Sequence, residues 1–446
     1  MWLVRLALRR PYTFVALALL ITILGGTAIV TMPADIFPNI DIPVVSVVWS
    51  FTGMTPEEME KRIVTVAERA MTVAAQKRFR AATGAPWAGL QPRSCRPRDT
   101  IKLSPFMRKV PVAESLRIIG RGTANWFAER PLVVSFEVTD GCTCYCKHCD
   151  HGGPKDDSRN LKPADYRRYM DALKPCVVQI SGGEPLMRKD VAEIVRNIKS
   201  ASGLPYTILV SNWSEMTEER YLELIAAGIG QFSVSLDFPD SRHDVFRGYP
   251  GLYDHISGII PKLAKLGYDN IVLNSCITSE NVGEIEAMAD KAREWGVNMC
   301  YSAYSSRRTG CRDYFLNTPE QLKTLNDQLD RVEARRDHTN WLVNAPATIE
   351  ATRRYFANRG IPGCTAGMRF LVVTADGMLQ PCSMQFKRYR LEERERMIEE
   401  FTRTNQCDEC YVSIRSYLDK SLPQLFREYI PGFFSFKTQY KPASRE

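Results

Sequence analysis

LVVSFEVTDGCTCYCKHC (Leu132–Cys149) joins an apolar run to a loop that carries four cysteines. The run is short and rich in valine, which predicts a buried strand. The loop contains the spacing C-x3-C-x2-C at Cys142, Cys146 and Cys149. Three thiolates at this spacing can each bind one iron of a cubane cluster and leave the fourth iron open for a ligand. The stretch therefore predicts a strand that ends at an iron-sulfur loop.

Zinc is the alternative occupant of this loop. Structural zinc sites use similarly short spacings, and Cys144 or His148 would then be the fourth ligand. We favour iron because the loop directly follows a predicted strand and because polar motifs recur at the ends of later strands. Cys144 lies inside the triplet and is expected to be a bystander.

Strand-like and helix-like stretches alternate after the first strand. The predicted strands are Val133–Thr139, Val177–Gly182, Tyr206–Ser211, Phe232–Asp237, Asn270–Thr278 and Asn298–Tyr304. The predicted helices are Val112–Phe127, Pro163–Leu173, Lys189–Ser200, Thr217–Ala227, Leu252–Leu266 and Val282–Trp295. Serial units of this kind predict an α/β fold with a parallel sheet, curved as a (β/α)6 partial TIM barrel. Active residues should then lie at the carboxyl ends of the strands.

Glycines and polar side chains mark several of these strand ends. Ser181-Gly-Gly-Glu-Pro185 follows the second strand, and its two glycines let the backbone approach a ligand closely. Hydroxyl, amide and carboxylate groups on the next three strands suit polar groups of a bound small molecule, although each could instead cap the following helix. These residues are Ser211, Asn212, Ser235, Asp237 and Asn274.

The loop and the strand-end motifs together resemble the radical S-adenosylmethionine (SAM) superfamily over about residues 131–303. The resemblance implies that Cys142, Cys146 and Cys149 hold a [4Fe–4S] cluster whose open iron binds SAM. Reduction of that cluster would cleave SAM to a 5′-deoxyadenosyl radical, which would take hydrogen from a peptide or small-molecule substrate. An electron donor such as flavodoxin or ferredoxin is also implied, and the substrate is not identified by the sequence.

The same resemblance implies SAM-binding roles for individual residues. His148 would lie near the adenine, and Gly182, Gly183, Glu184 and Pro185 would surround the amino group. Ser211, Asn212, Ser235, Asp237 and Asn274 would face the ribose and carboxylate. A further motif, His243-Asp-x-x-Arg247-Gly248, matches family members with a second cluster domain, and its expected role is to tie down the loop.

A second group of cysteines follows the predicted barrel. Cys364, Cys382, Cys407 and Cys410 resemble the SPASM or twitch extension, which binds an auxiliary [4Fe–4S] cluster. No cysteine follows Cys410, whereas a full SPASM pattern continues with more. Four ligands suffice for one cluster, so we predict one here. Zinc is again the alternative, because a four-cysteine set with one C-x2-C is a common structural zinc pattern.

Composition limits the function classes and the compartment. The chain has 13 cysteines, an odd number, and their clustering favours metal binding in a reducing compartment over a disulfide framework. The catalytic part is therefore expected in the cytoplasm. The formal charge is +8, but no basic run with interleaved aromatic residues stands out in the enzyme-like part, so nucleic acid is not an expected partner.

The first 106 residues have a different character. Residues 11–32 are uncharged and apolar, and they are long enough to predict a transmembrane helix rather than a cleaved signal peptide. With PADIFPNIDIPVVSVVW after it, the segment 1–73 resembles the start of resistance-nodulation-division (RND) efflux transporters. Residues 74–106 are interpreted as a linker or a mis-joined segment. The predicted core (107–305), a helical connector (306–360) and the auxiliary-cluster region (361–446) follow.

The positions of the basic residues around the apolar stretch imply a compartment that conflicts with the one expected for the enzyme-like part. Arg5, Arg9 and Arg10 precede the apolar stretch and the next basic residue is Lys61, which would place the rest of the chain outside the cytoplasm. A cluster that needs reduction would fail there. Either the joined segment is an artefact with the true start near Met107, or the helix does not insert. The alternative function is a membrane-anchored transporter fragment with a non-catalytic metal-binding domain.

Overall fold

The computed structural model describes residues 112–199, 204–337 and 341–434. The chain divides into two units, Met1–Arg98 and Asp99–Glu446, and all described residues belong to the second. The predicted transmembrane helix at 11–32, the transporter-like segment 1–73 and the linker 74–106 lie outside the described residues. No helix within the described ranges is long and apolar enough to cross a membrane.

Helices and strands alternate through most of the described chain. The strands are β1 (Val133–Glu137), β2 (Val177–Ser181), β3 (Tyr206–Ser211), β4 (Gln231–Ser235), β5 (Ile271–Ile277), β6 (Asn298–Ala303), β7 (Phe370–Val373) and β8 (Leu379–Gln380). The helices up to β6 are α1 (Val112–Phe127), α2 (Tyr166–Leu173), α3 (Val191–Ile198), α4 (Glu218–Ala227), α5 (Arg242–Arg247), α6 (Leu252–Lys265) and α7 (Ile285–Trp295). After β6 come α8 (Pro319–Ala334), α9 (Pro346–Asn358), α10 (Arg394–Met397), α11 (Ser413–Leu418) and α12 (Leu422–Phe434).

The strands form one eight-stranded sheet in the order β6-β5-β4-β3-β2-β1-β7-β8. All neighbouring pairs are parallel except β7 and β8. The predicted α/β class with a mostly parallel sheet is thus confirmed. The sheet also extends beyond the six predicted strands, because β7 pairs with the free side of β1.

The two faces of the sheet differ in polarity. One set of alternating strand positions, such as Val134, Phe136 and Val178, is fully buried and packs in the main apolar core. The intervening positions carry polar side chains on five of the first six strands, all except β3. They are Ser135, Gln179, Ser181, Ser233, Ser235, Asn274 and Ser302. Since the parallel strands run in one direction, their polar carboxyl ends lie along one edge of the sheet, where the cysteine loop begins.

Candidate functional site

Backbone hydrogen bonds hold the cysteine loop directly after β1. The Cys142 amide donates to the Gly153 carbonyl at 2.9 Å, which closes the loop on its own continuation. On its other side, the Tyr145 and Lys147 amides donate to carbonyls of α5, those of Arg247 at 2.9 Å and Phe246 at 3.1 Å. The short helix α5 therefore clamps the loop from outside.

The histidine-aspartate-arginine-glycine motif supplies this clamp. The backbone amide of Asp237 donates to His243 Nδ1 at 3.2 Å, which joins α5 to the end of β4. The Asp244 carboxylate accepts from the backbone amides that begin α6. A Cβ at Gly248, where φ is +61°, would lie 2.6 Å from the Tyr145 carbonyl oxygen. The motif thus ties down the loop, as the sequence suggested.

Glycines let the end of β2 approach the other side of the loop. The Gly183 amide donates to the Thr139 carbonyl, and the Glu184 amide donates to the Gly141 carbonyl, both at 2.8 Å. A Cβ at Gly183 would stand 2.0 Å from the Gly141 carbonyl oxygen. Gly182 has a φ of +133°, and a Cβ there would lie 2.3 Å from the Thr139 carbonyl oxygen. Any larger residue at these two positions would push the strand end away from the cysteines.

The thiols of the loop interact with one another. Cys144 is 1% exposed and hydrogen-bonds to both Cys142 and Cys146. The hydrogen bond with Cys144 lowers the pKa of Cys142, and the corresponding bond lowers the pKa of Cys146 to about 6, aided by the charge of Arg247. The same bonds raise the pKa of Cys144. Cys142 and Cys146 are therefore more readily deprotonated than Cys149, the third thiol of the C-x3-C-x2-C spacing, whose pKa is raised by burial.

Two side chains from other elements reach these sulfurs. Asn212, just beyond β3, directs its Nδ2 to Cys144 Sγ at 3.1 Å and to Cys142 Sγ at 3.6 Å. Arg247 Nη1 lies 3.7 Å from Cys146 Sγ. Both are donors, and thiolate sulfurs accept such hydrogen bonds.

The donor set of the loop suits a cubane cluster. Among the described residues, no group of three or more His, Cys, Asp or Glu side chains is arranged to hold one metal ion. A cubane takes one thiolate at each of three irons, so its ligands need not converge on one point. Cys142, Cys146 and Cys149 lie in one loop with N–H donors beside two of them. These residues therefore fit a cluster of this kind.

The side chain of Glu184 is buried between the ends of β2 and β3. Its buried carboxylate accepts hydrogen bonds from Ser211 Oγ at 2.7 Å, the Asn212 amide at 2.7 Å and the Leu186 amide at 2.9 Å. Burial raises its pKa to about 7, against the effect of these donors. Glu184 and Ser211 thus join the ends of β2 and β3, and Pro185 begins a buried turn beside them.

Asp237 is fully buried at the end of β4. Its Oδ2 binds Arg247 through Nε at 2.7 Å and Nη2 at 2.6 Å, and its Oδ1 accepts from the Cys276 amide at 2.9 Å. Burial opposes ionisation of Asp237, but the adjacent Arg247 charge outweighs it and the pKa of Asp237 is lowered. Asp237 therefore holds Arg247 against the loop.

Three other predicted residues present groups that are free to bind. Ser235 is half-buried and pairs in register with Asn274 on β5, whose buried Oδ1 has no hydrogen-bond partner among the described residues. His148 stacks on Phe246 with 4.8 Å between ring centroids, and its buried Nδ1 likewise has no partner in the described ranges. Burial lowers the pKa of His148 to about 4, so the imidazole is neutral near pH 7.

Sequence reasoning missed a charged pair at the end of β1. Glu137 is 8% exposed, and its carboxylate lies 3.9 Å from Arg308, which also binds Asp150 at 2.5 Å. Burial raises the pKa of Glu137 to about 7. The Arg308 Nη1 atom also contacts the Ser383 carbonyl at 3.3 Å, next to Cys382. The signal in the sequence was a carboxylate within a mostly apolar strand.

The second group of cysteines gathers beside the hairpin of β7 and β8. Cys364, Cys382 and Cys410 are buried, and Cys407 is partly exposed. Burial raises the pKa of Cys382, and interactions with the other three thiols add to this effect. Asn405 bridges two of them, because its Nδ2 donates to the Cys364 carbonyl and its Oδ1 accepts from the Cys407 amide.

Comparisons with known proteins match both parts of the chain. The family model described as the radical SAM superfamily matches residues 136–292, and that of the AcrB/AcrD/AcrF family matches residues 3–80. The AdoMet-dependent heme synthase of Methanosarcina barkeri is 32% identical over 272 residues, which cover 56% of this chain and 76% of that protein. The probable GTP 3′,8-cyclase of Methanococcus aeolicus is 25% identical over a stretch that covers 56% of this chain and 84% of that protein. Among solved structures, Streptococcus suis SuiB bound to precursor peptide SuiA has a TM-score of 0.45 and 15% identity. The match covers 64% of this chain and 69% of SuiB.

Proposed function

Because the chain belongs to the radical SAM superfamily, we propose that Cys142, Cys146 and Cys149 hold the [4Fe–4S] cluster at which this enzyme reductively cleaves SAM. When bound, the cluster would supply one electron for the cleavage of SAM, and hydrogen abstraction from a substrate would follow. The observation that carries the assignment is the position of these three thiols, in one loop held between the ends of β1 and β2 and helix α5.

The strand ends next to this loop are the proposed SAM site. Gly182 and Gly183 bring the backbone close to the loop, and Asn274 Oδ1 and His148 Nδ1 are buried polar atoms without partners in the described ranges. Ser235 lies beside Asn274 in the paired register. Glu184, Pro185, Ser211, Asn212 and Asp237 hold the surrounding strand ends in place, and SAM binding would use their backbone groups or remaining surfaces.

The substrate is proposed to enter along the polar face of the sheet, with Glu137 and Arg308 at its edge. A peptide or a small molecule fits this description. The named relatives act on small molecules by their names, and SuiB was solved with a peptide. Each cleavage consumes one electron, so an external donor such as a flavodoxin or ferredoxin is part of the proposal. The need for reduction also places the catalytic part in the cytoplasm.

The cysteines at positions 364, 382, 407 and 410 are proposed to bind one auxiliary [4Fe–4S] cluster. The burial of Cys364, Cys382 and Cys410 and the effect of the other three thiols on the pKa of Cys382 support this. Iron-to-protein ratios distinguish it from zinc, because two clusters require about twice the iron of one.

Replacement of single cysteines tests the assignment of the loop. Cys146→Ala should lose the SAM-responsive cluster and all 5′-deoxyadenosine formation after anaerobic reconstitution with iron, sulfide and a reductant, because an iron loses its only protein ligand. Cys144→Ala should keep both, since Cys144 is expected to be a bystander. Cys311→Ala, a thiol outside both groups, is the matched control. Zinc in the loop of wild-type protein, or full activity of Cys146→Ala, would disprove the proposal.

A further inference from the structure

Arg247 is a buried cation that contacts a proposed ligand of the cluster at the cysteine loop. Its side chain is 10% exposed, and Nη1 stands 3.7 Å from Cys146 Sγ. The remaining donors on the same guanidinium, Nε and Nη2, bind Asp237. The planar guanidinium thus has its orientation fixed by a carboxylate, with one N–H edge directed at sulfur.

A donor in this position acts on the electron affinity of the cluster. Reduction adds negative charge to the cluster and its thiolates, and a nearby cation or N–H donor stabilises that charge more strongly after reduction than before. Hydrogen bonds to ligand sulfurs are a recognised determinant of iron-sulfur reduction potentials. Burial strengthens the effect because water does not screen the pair.

We propose that Arg247, held by Asp237, raises the reduction potential of the cluster at the cysteine loop through its contact with Cys146. Arg247 is a positioning and tuning residue in this proposal rather than a group that touches substrate. The inference rests on the proposed cluster at Cys142, Cys146 and Cys149. It extends that proposal, because it assigns to the arginine of the α5 motif a role beyond tying down the loop.

Because Arg247 and Asp237 carry opposite charges, their variants distinguish an effect on the reduction potential from a purely structural role. Arg247→Gln removes the cation and leaves the Asp237 carboxylate, so the potential should fall. Asp237→Asn removes the negative charge but keeps a side-chain oxygen that accepts from Arg247, so the cation stays beside Cys146 and the potential should rise. If the pair merely held the loop in shape, both variants would disturb the cluster in the same way. The opposite signs are therefore the specific expectation.

The experiment is a redox titration of the full chain, purified without oxygen and reconstituted with iron and sulfide. The electron paramagnetic resonance signal of the reduced cluster that changes on SAM addition identifies the loop cluster and separates it from any auxiliary cluster. Arg247→Gln should lower the equilibrium constant for one-electron reduction at least tenfold, equal to about 59 mV. Arg242→Gln is the matched control, because this α5 arginine is exposed and its guanidinium pairs with Asp240 and Glu284 rather than with a cysteine.

The outcomes separate the proposals. A wild-type potential in Arg247→Gln, or shifts of the same sign in both variants, would overturn the tuning role while leaving the enzyme assignment intact. If Arg247→Gln fails to hold its cluster, Asp237→Asn decides alone, and an unchanged or lowered potential there would overturn the inference. Absence of any SAM-responsive signal in wild-type protein would instead contradict the proposed function.

Discussion

At the scale of single residues, the site consists of side chains whose partners are far apart in sequence. The cysteine spacing and the double glycine are local patterns, so they were predictable from the sequence alone. The contact of Arg247 with Cys146 spans 101 positions, and that of Arg308 with Asp150 spans 158. Neither pair leaves a local pattern, because which strand ends meet is decided by the packing of the whole sheet.

The Gly183 backbone gives a direct test of the close approach between β2 and the loop. Gly183→Ala should destabilise the protein by about 3 kcal/mol or more, because its Cβ would overlap the Gly141 carbonyl, which is backbone and cannot rotate away. Thermal unfolding followed by circular dichroism measures the change. Gly258→Ala is the control, since its Cβ meets nothing within 4 Å on helix α6 and alanine favours helix by about 0.5–1 kcal/mol. An unchanged melting temperature for Gly183→Ala would show that the strand end is not held this closely.

The raised pKa of Glu184 predicts that the stability of the protein depends on pH. Its pKa is raised from 4.5 to about 7, so between these values the folded protein retains a proton that the unfolded chain has released. The contribution of protonated Glu184 to the free energy of unfolding is fully present below pH 4.5 and is lost as the pH rises through 7. The stability of wild type relative to Glu184→Gln should therefore fall by about 3 kcal/mol from pH 5 to pH 8. Urea unfolding of the cluster-free, reduced proteins measures it, and a constant difference would contradict the burial argument.

At the scale of elements, periodicity predicted the core well. Helix α1 has the predicted bounds, and β6 (Asn298–Ala303) is one residue shorter than predicted. Helix α5 was missed because its six residues are too few to show a helical period. The pairing of β7 with β1 was also missed, since register between distant strands is set by packing and leaves no mark in either strand's own pattern.

The hairpin of β7 and β8 should be needed to protect β1. A chain ending at Asn358 would leave one side of β1 with unpaired backbone groups along a fully buried strand, which is a template for aggregation. We expect such a truncation to be mostly aggregated in size-exclusion chromatography. The double variant Cys407→Ser/Cys410→Ser keeps the hairpin and should remain monodisperse without an auxiliary cluster. A monodisperse truncated chain would show that β7 contributes little.

At the scale of the whole molecule, the sequence identified the family and its two cofactors, and the comparisons confirm both. The family match and the 32% identity over 272 residues favour the enzyme over the transporter-fragment alternative. The transporter-like character of the first residues is also confirmed, by the match over residues 3–80. The substrate could not be predicted, because the polar face of the sheet offers hydroxyl and amide groups that suit many molecules.

A version that starts at Met107 tests whether the two parts depend on each other. We expect it to match the full-length chain in iron content and in 5′-deoxyadenosine formed per protein, because the site residues all lie after Pro131. Fractionation of membranes from cells expressing each version would report on the apolar stretch at 11–32. Loss of cluster or of SAM cleavage in the shorter version would show that the first 106 residues support the enzyme.

The position of β1 between β2 and β7 has a consequence for biosynthesis. The ribosome completes the cysteine loop long before it reaches Phe370, and at 5–20 residues per second the delay is roughly 10–50 s. During that interval the nascent chain has an incomplete sheet, in which the backbone groups on one side of β1 are unpaired. Nascent chains should therefore depend on chaperones, and we expect iron to bind after the chain leaves the ribosome rather than during translation.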